Sequence, residues 1–302
     1  MLDYKKLVKN RELRVRISNA LGFIPDRPYL KMVYYLKTGR HLNLDNPVGF
    51  NEKLNWLKVN ARKPEYTQMV DKYEVRNIVK EKIGDGYMFP LLGVWDSYGE
   101  IDFRGLPEKF VLKCTHDSGS IKVIKDKSLI NHKEFEKFYS GRLKVNPYNL
   151  GREYPYKDVK PRIIAEQLMG DGNTLPLDYK FFCFNGVPKY MFVASERETD
   201  CKHTIFDMDF ERVKDIEFYV HNASAVALKK PDTFEQMKEL AAKLSAGIPF
   251  VRVDFYEIEG KVYFGEYTFF PAGGFYLLKP DSEERKWGDL LSLDFVEGGV
   301  KP

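Results

Sequence analysis

The segment FVRVDFY (residues 250–256) alternates apolar and charged side chains, so a strand there presents Arg252 and Asp254 on one face and Val251, Val253 and Phe255 on the other. The chain then turns back around Gly260 through KVYFGEYTFFP. A hairpin centred on that glycine sets Asp254 opposite Glu266 and Arg252 opposite Thr268, a register that a one-residue slip destroys. Two carboxylates directly across a ladder repel one another, which calls for a cation between them or a raised pKa on one. Magnesium, taking one or two carboxylates plus substrate phosphates, is the natural occupant. Carboxylates that face solvent, or that pair with a base such as Lys261, are the alternative that the residues leave open. Arg252, on the same face, is placed either to stabilise charge on a tetrahedral intermediate or leaving phosphate, or to make a structural salt bridge to Glu266.

A second group lies upstream. KFVLKC (109–114) has strand composition and runs into THDSGS, a small polar loop, before a second strand IKVIKD. Lys113 would supply a point charge for phosphates, and the loop through Ser118, Gly119 and Ser120 is small enough to bring backbone N–H groups against their oxygens. The same loop also reads as an ordinary turn, and it is not a P-loop, since the GxxxxGK[ST] spacing is absent. Lys180, in DYKFFCFNG, is either a further phosphate contact or a plain edge-strand lysine.

The elements that must position these groups are legible in outline. Residues 1–65 read as a helical lead-in, KLVKNRELRVRISNAL and FNEKLNWLKVNAR, with breaks at Gly22, Pro25 and Pro64. YTQMVDKYEVRNIVKEKIG predicts one further helix capped by Gly84. Asn131 with Glu134 predicts the start of the helix HKEFEKFYSGRLK, and RIIAEQL (162–168) resumes strand character. Asn185-Gly186, between two aromatic-rich runs, is the strongest hairpin signal in the chain. Thr233 and Gln236 form a capping-box pattern for the helix FEQMKELAAKLSAG, which Gly247 and Pro249 end. The whole predicts an α+β protein: a helical region over 1–65, then a catalytic region over 66–302, with a nucleotide lobe at about 105–170 and a metal-site lobe at about 171–280.

With 302 residues, 43% apolar and 15% aromatic, the chain can bury a substantial core. It has no apolar run long enough to span a bilayer, and MLDYKKLVKN carries charges where a secretory leader needs apolar residues, which predicts a cytoplasmic protein. Cys114, Cys183 and Cys201 lack disulfide or zinc spacing and fit free thiols. The first forty residues carry a net charge of +7 within an overall +4, either an anion-steering patch or a solvated face. Nucleic-acid binding is not expected at so mild a net charge without a recognised motif. No GxSxG is present, and His116, His132 and His203 have no obvious nucleophile beside them.

In order, FNEKLNWLK, VDKYEVRNIVKEKIG, PLLGVWDSYGEIDF, KFVLKCTHDSGS, LGREYPYKDVKPRIIAEQL, DYKFFCFNG and GIPFVRVDFYEIEGKVYFGEYTFFP resemble the ATP-grasp superfamily. Within it, the resemblance is to the TupA-like group associated with bacterial surface-polysaccharide and teichuronopeptide assembly, over about residues 48–275. It implies an ATP pocket between two α+β lobes with antiparallel sheets. Lys113 and Lys180 match nucleotide-contacting lysines, Glu166, Gln167 and Leu168 fall where the adenine-side linker lies, and Asp254 and Glu266 match magnesium ligands. Where many relatives carry Glu-x-Asn, this chain has Glu266-Tyr267-Thr268, and a threonine hydroxyl is a poorer metal ligand than an amide carbonyl.

The implied reaction is ligation: a carboxylate attacks the γ-phosphate of ATP, and an amine displaces phosphate from the acyl phosphate to form an amide. For a TupA-like enzyme the expected partners are an amino acid or amine and a uronic acid of a surface polysaccharide, with peripheral contact to membrane-associated polysaccharide machinery. Three rival readings stand beside it. A glycosyltransferase is suggested by the DxD pattern Asp207-Met208-Asp209, which also reads as a polar turn between strands. An ATP-grasp-type kinase shares the ATP half. A glycan-binding protein is suggested by the many Tyr and Trp residues, which are more often core.

Overall fold

A computed structural model describes residues 17–169, 175–197, 199–214, 216 and 223–294. Most of the first predicted helix, KLVKNRELRVRISNAL, lies outside these residues. The described helices are α1 (Asp26–Thr38), α2 (Phe50–Asn60), α3 (Glu65–Val70), α4 (Val75–Ile83), α5 (His132–Leu143), the short α6 (Tyr148–Gly151), α7 (Phe234–Ser245) and α8 (Asp281–Leu290). The strands are β1 (Leu91–Trp95), β2 (Phe110–Cys114), β3 (Lys122–Ile124), β4 (Ile163–Gln167), β5 (Asp178–Phe184), β6 (Val187–Ser195), β7 (Lys202–Phe206), β8 (Phe250–Ile258) and β9 (Lys261–Thr268).

They form two antiparallel sheets, one in the order β1-β4-β2-β3 and one in the order β7-β6-β5-β8-β9. The first sheet is backed by α5, whose Tyr139 hydroxyl donates to the carbonyls of Leu112 (2.9 Å) and Ser120 (3.1 Å). The second sheet carries the larger core. Phe181, Phe182 and Phe184 on β5 pack with Phe250 and Phe255 on β8, with Phe234 on α7 and with Trp287 on α8. α2 closes that core with Phe50, and α1 adds a smaller cluster of Leu30 and Tyr34 with Leu42, Leu44 and Phe275.

Local chemistry explains the boundaries. Glu52 accepts the backbone N–H groups of Gly49 (3.1 Å) and Val48 (2.9 Å) and so starts α2. Asn131 accepts from the Glu134 N–H at 3.4 Å and starts α5, as its spacing predicts. At α7 the Thr233 hydroxyl does not cap the helix; it donates to the Glu257 carboxylate on β8.

The single helix predicted over 66–84 is two. Asp71 ends α3 and takes the N–H groups of Tyr73 (2.8 Å) and Glu74 (3.3 Å), while the Lys72 N–H goes to the Thr115 carbonyl (3.1 Å). Asp71 is fixed there by Arg162, 2.9 Å away on the far side of the chain's order, a partner that helical periodicity cannot reveal.

Both hairpins of the second sheet turn on two residues of positive φ, Asn185-Gly186 (49° and 80°) and Glu259-Gly260 (53° and 72°). The second turn corrects the predicted centre on Gly260. Ile258 pairs with Lys261 and Phe255 with Phe264, but Asp254 pairs with Glu266 and Arg252 with Thr268. A one-residue bulge absorbs the offset at Gly265, so the register expected at the charged positions holds although the turn differs.

Candidate active site

β5, β8 and β9 are adjacent, and their matched positions bring the charged side chains together. Lys180 on β5 pairs in register with Asp254 on β8, which pairs with Glu266 on β9. Because β5 is the middle strand of five, the edge-strand reading of Lys180 does not hold. Its ammonium lies 2.5 Å from Asp254 Oδ2 and 2.6 Å from Asp178 Oδ2. The Arg252 guanidinium grips the same Asp254 carboxylate through Nε to Oδ1 (2.7 Å) and Nη2 to Oδ2 (2.6 Å). Nη2 also donates to the Thr268 hydroxyl at 2.9 Å and lies 3.5 Å from Glu266 Oε1. The two functions considered for Arg252 are therefore not alternatives in space: its main anchor is Asp254, and Glu266 is a longer second contact.

Burial and charge oppose each other across this cluster. Burial pushes the Asp254 carboxyl up, but Arg252 and Lys180 outweigh it and hold the group below the usual carboxylate range. Asp178 goes the other way: burial, with the Asp254 charge added, raises it despite Lys180 and Arg197. Burial works against the Lys180 charge, yet Asp178 and Asp254 raise it above its ordinary value. Asp178 Oδ1 is buried without a hydrogen-bond partner.

Beside this cluster an open cleft lies between the two sheets, lined by Val111 and Lys113 on β2, Val123 on β3, Glu166 and Gln167 on β4, and Tyr256 and Ile258 on β8, with Phe89, Leu168 and Arg197 among the rest of its wall. The Lys113 ammonium is set by Glu166 Oε2 at 2.6 Å, and Arg76 on α4 approaches Glu166 Oε1 at 3.4 Å while donating to the Phe89 carbonyl at 2.7 Å. Tyr256 connects cleft and cluster, its hydroxyl 3.5 Å from Asp178 Oδ2. Glu166, Gln167 and Leu168 thus form one wall, with Gln167 tied through its N–H to the Pro90 carbonyl at 2.9 Å.

The loop after β2 is more internally bonded than its sequence suggests. The Ser120 hydroxyl accepts from the Cys114 N–H (2.9 Å) and donates to Asp117 Oδ1 (2.5 Å), and Asp117 also pairs with Arg142 of α5. Ser120 is buried, so the exposed tip of the loop consists of Ser118 and Gly119, the latter at φ 82°. His116 is a structural residue, with Nε2 against the carbonyls of Arg142 (3.2 Å) and Val145 (3.1 Å). Asp207 accepts the N–H groups of Asp209 (3.0 Å) and Glu211 (2.9 Å), so the DxD pattern is a turn whose first carboxylate is spent on its own backbone.

Residues that sequence reasoning passed over also reach the site. Lys72 comes from the turn between α3 and α4, Arg76 from α4, Arg197 from just after β6, and Tyr256 from β8. The signal available for the first two was the run VDKYEVR, read only for its apolar spacing.

The residues present fit a nucleotide. The cleft offers apolar faces for a base and cations for phosphates, and it joins the face on which Asp254 and Glu266 stand opposed. Among the described residues no group of three or more His, Cys, Asp or Glu gathers to cage a metal. Asp254 has both oxygens engaged by Arg252 and Lys180, whereas the Glu266 side chain is 41% exposed. Asp254 Oδ2 accepts from both cations, so a metal here would be reached chiefly through Asp254 Oδ1 and the Glu266 carboxylate. This donor set suits magnesium, a hard ion that takes one or two carboxylates and completes its shell with phosphates and water.

The TupA-like ATPgrasp family profile matches residues 52–292. The chain belongs to this family, and its two-lobed α+β architecture is the ATP-grasp fold.

Among solved structures the chain is similar to a D-alanine–D-alanine ligase from Bacillus anthracis complexed with ATP, at 13% identity and a TM-score of 0.44, covering 77% of this chain and 68% of that one. It is also similar to a D-alanine–D-alanine ligase from Helicobacter pylori at 15% identity and a TM-score of 0.41, covering 74% of this chain and 61% of that one. A third is the ATP-grasp ligase PsnB in complex with a phosphomimetic variant of its minimal precursor, Mg and ADP, at 9% identity and a TM-score of 0.44, covering 98% and 74%. No curated protein matches the sequence. No described helix is long and apolar enough to cross a membrane.

Proposed function

We propose that this ATP-grasp protein is an ATP-dependent ligase that joins a carboxylate to an amine through an acyl phosphate, acting on a uronic acid of a bacterial surface polysaccharide with an amino acid or amine as its partner. The observation that carries the ligase reading is the gathering of Lys180, Arg252, Asp254 and Glu266 on one face of β5, β8 and β9 beside the cleft that holds Lys113. Family membership supports the use of ATP. The glycan substrate rests on the TupA-like resemblance and on the basic first forty residues; peripheral contact with membrane-associated polysaccharide machinery, from the cytoplasm, follows from that choice.

Asp254 and Glu266, with Thr268 beside them, would hold magnesium, which when bound would supply charge neutralisation for the phosphates. The protein's own groups do the positioning. Gln167, Leu168, Val111 and Ile258 wall the base; Lys113, held by Glu166, presents a fixed positive charge, and Lys180 adds a second behind Asp254. Arg252 is fixed at two points by Asp254, so its guanidinium meets developing negative charge on the acyl carbon's oxygen without reorganising. The carboxylate oxygen attacks the γ-phosphorus, ADP leaves, the amine nitrogen then bonds the acyl carbon, phosphate leaves, and the nitrogen's proton passes to solvent or to a neighbouring base.

Incubation of the protein with ATP, magnesium, and panels of uronic acids and amino acids tests this. ADP with free phosphate and an amide is the expected outcome. ADP with a phosphorylated product would make the protein a kinase, and turnover of a sugar nucleotide without ATP a glycosyltransferase.

A further inference from the structure

We propose that a cavity at the junction of α1, α2 and α8 binds a small free α-amino acid, at a site separate from the nucleotide cleft. The inference goes beyond the ligase reading and does not depend on it.

The cavity has a volume of about 200 Å³. Its inner end is formed by Tyr34 of α1 and Glu284 of α8, 2% and 6% exposed, with Glu52 of α2 beside them. Its rim carries the exposed side chains of Arg40, just past α1, and Arg285 of α8, while Leu277 supplies an apolar wall. The helix junction fixes the two acids. Glu284 accepts the Asn51 N–H at 2.6 Å, Asn51 Nδ2 at 2.9 Å and the Leu278 N–H at 3.1 Å, and Glu52 accepts the N–H groups that start α2. Gly49 keeps the space between them open. Its φ of −73° suits any residue, but a Cβ there would lie 3.1 Å from Glu284 Oε1.

This inner end is left incomplete. Among the described residues neither Glu284 nor Glu52 has a cation within ion-pair distance, and burial raises the Glu284 carboxyl against its three N–H donors. The Tyr34 hydroxyl, on a buried side chain that lines the cavity, makes no hydrogen bond among the described residues. Burial, then the charges of Glu284 and Glu52, raise it, so it stays a neutral O–H. At the rim the sign is reversed. Arg40 binds Asp281 through Nη2 alone, at 2.6 and 2.7 Å, and Arg285 makes no ion pair among the described residues.

The pattern is acid inside and guanidinium outside. A plain anion would meet two carboxylates, and a plain cation would leave Arg285 unmatched. A zwitterion satisfies both ends: its ammonium donates to Glu284, Glu52 and Tyr34 Oη, its carboxylate accepts from Arg285 and the unspent N–H groups of Arg40, and its side chain lies on Leu277. The volume limits that side chain to a small one.

Titration calorimetry on the full chain without nucleotide tests this with glycine, L-alanine, D-alanine, L-serine and L-threonine. Saturable binding of at least one is expected, with its N-acetyl and amide derivatives bound at least about tenfold more weakly, since each lacks one of the two charges. Tyr34→Phe removes an unbonded hydroxyl and Arg285→Gln a rim charge, so both should unfold as wild type does while binding about fivefold more weakly. Glu266→Gln should bind as wild type does, which separates this cavity from an amine subsite of the reaction. Absence of binding by all five overturns the proposal, as does equal binding of the derivatives. Binding that is unchanged in Tyr34→Phe and Arg285→Gln, or that Glu266→Gln abolishes, overturns it as well.

Discussion

Asp254 and Glu266 face each other across β8 and β9 because Gly265 is left over between them. From the Glu259-Gly260 turn onward the ladder pairs residues that would put Gly265 opposite Asp254 and turn Glu266 towards the opposite face of the sheet. The bulge inserts one residue on β9 and brings Glu266 back to the face that carries Arg252 and Lys180. A Cβ at position 265 would lie 3.1 Å from the Asp254 carbonyl oxygen and 3.1 Å from the Tyr256 ring. Gly265→Ala is therefore expected to cost about 1–3 kcal/mol in urea unfolding and to weaken nucleotide binding with it. Deletion of Gly265 removes the extra residue and leaves Glu266 next to Phe264, still opposite Asp254 in an unbroken ladder, so turnover is expected to survive the deletion. A deletion variant that folds and has lost turnover would show that the bulge itself, and not the register alone, shapes the site.

Asp254 and Glu266 give different mutants although they share a register position. Sequence alone suggests that Asp254→Asn and Glu266→Gln both stop turnover and leave the fold intact. Asp254 is 1% exposed and anchors Arg252 and Lys180, so its neutralisation leaves two buried cations short of a partner. Asp254→Asn is expected to destabilise the protein by about 3–5 kcal/mol. Glu266→Gln, at a side chain 41% exposed, is expected to stay within about 0.5 kcal/mol of wild type and still lose ATP turnover. Paired denaturation and turnover assays distinguish the two; a Glu266→Gln variant that turns ATP over normally speaks against a metal at that carboxylate.

Asp178 and Asp254 should respond to acid in opposite senses. The depressed Asp254 carboxyl contributes stability that is complete above its ordinary value and is lost as pH falls through the lower folded value. The raised Asp178 carboxyl contributes stability that is complete below the ordinary value and is lost as pH rises through the higher folded one. Wild type minus Asp178→Asn stability should therefore decline with rising pH just above the ordinary carboxylate range. Wild type minus Asp254→Asn stability should rise from below that range. Urea midpoints across acidic pH measure both, and parallel slopes would refute the assignment.

Lys58 on α2 is fully buried, and its ammonium donates to Gly273 O (2.6 Å), Gly151 O (2.8 Å) and Asn55 Oδ1 (3.0 Å), with the Phe275 ring centroid at 4.0 Å. These bonds hold the turn that follows Thr268 against the lead-in helices. Lys58→Met leaves three buried acceptors unpaired, and a loss of about 3 kcal/mol or more is expected by thermal or urea unfolding. A variant as stable as wild type would mean that the turn is held by packing alone.

What was legible in the sequence was local or two-residue periodic. The Asn185-Gly186 hairpin, the helix started by Asn131 and the charged face of FVRVDFY depend on neighbours a few positions away, and all are found. The register of β8 with β9 came out right at Asp254 and wrong at the turn, because the bulge at Gly265 cancels a misplaced centre. Long-range partners were not legible. The break between α3 and α4 depends on Arg162 holding Asp71, the stiffness of the 115–120 loop on Arg142, and the depth of Lys180 on β5 being flanked by β6 and β8. None of these leaves a mark in spacing, and Lys72 was hidden for the same reason.

Asp26, in the first turn of α1, receives Arg62, the Tyr148 hydroxyl at 2.7 Å and Arg152 Nε at 3.3 Å. Arg152 is 1% exposed and is held besides by the Leu21 carbonyl. The residues that match the family begin at 52, after all of α1. A protein trimmed to that boundary would take from Arg152 both the Asp26 carboxylate and the Leu21 carbonyl, and would strip the cover from Phe275, next to the turn that Lys58 fastens. The early helices thus brace the segment that follows β9 from outside the stretch that defines the family.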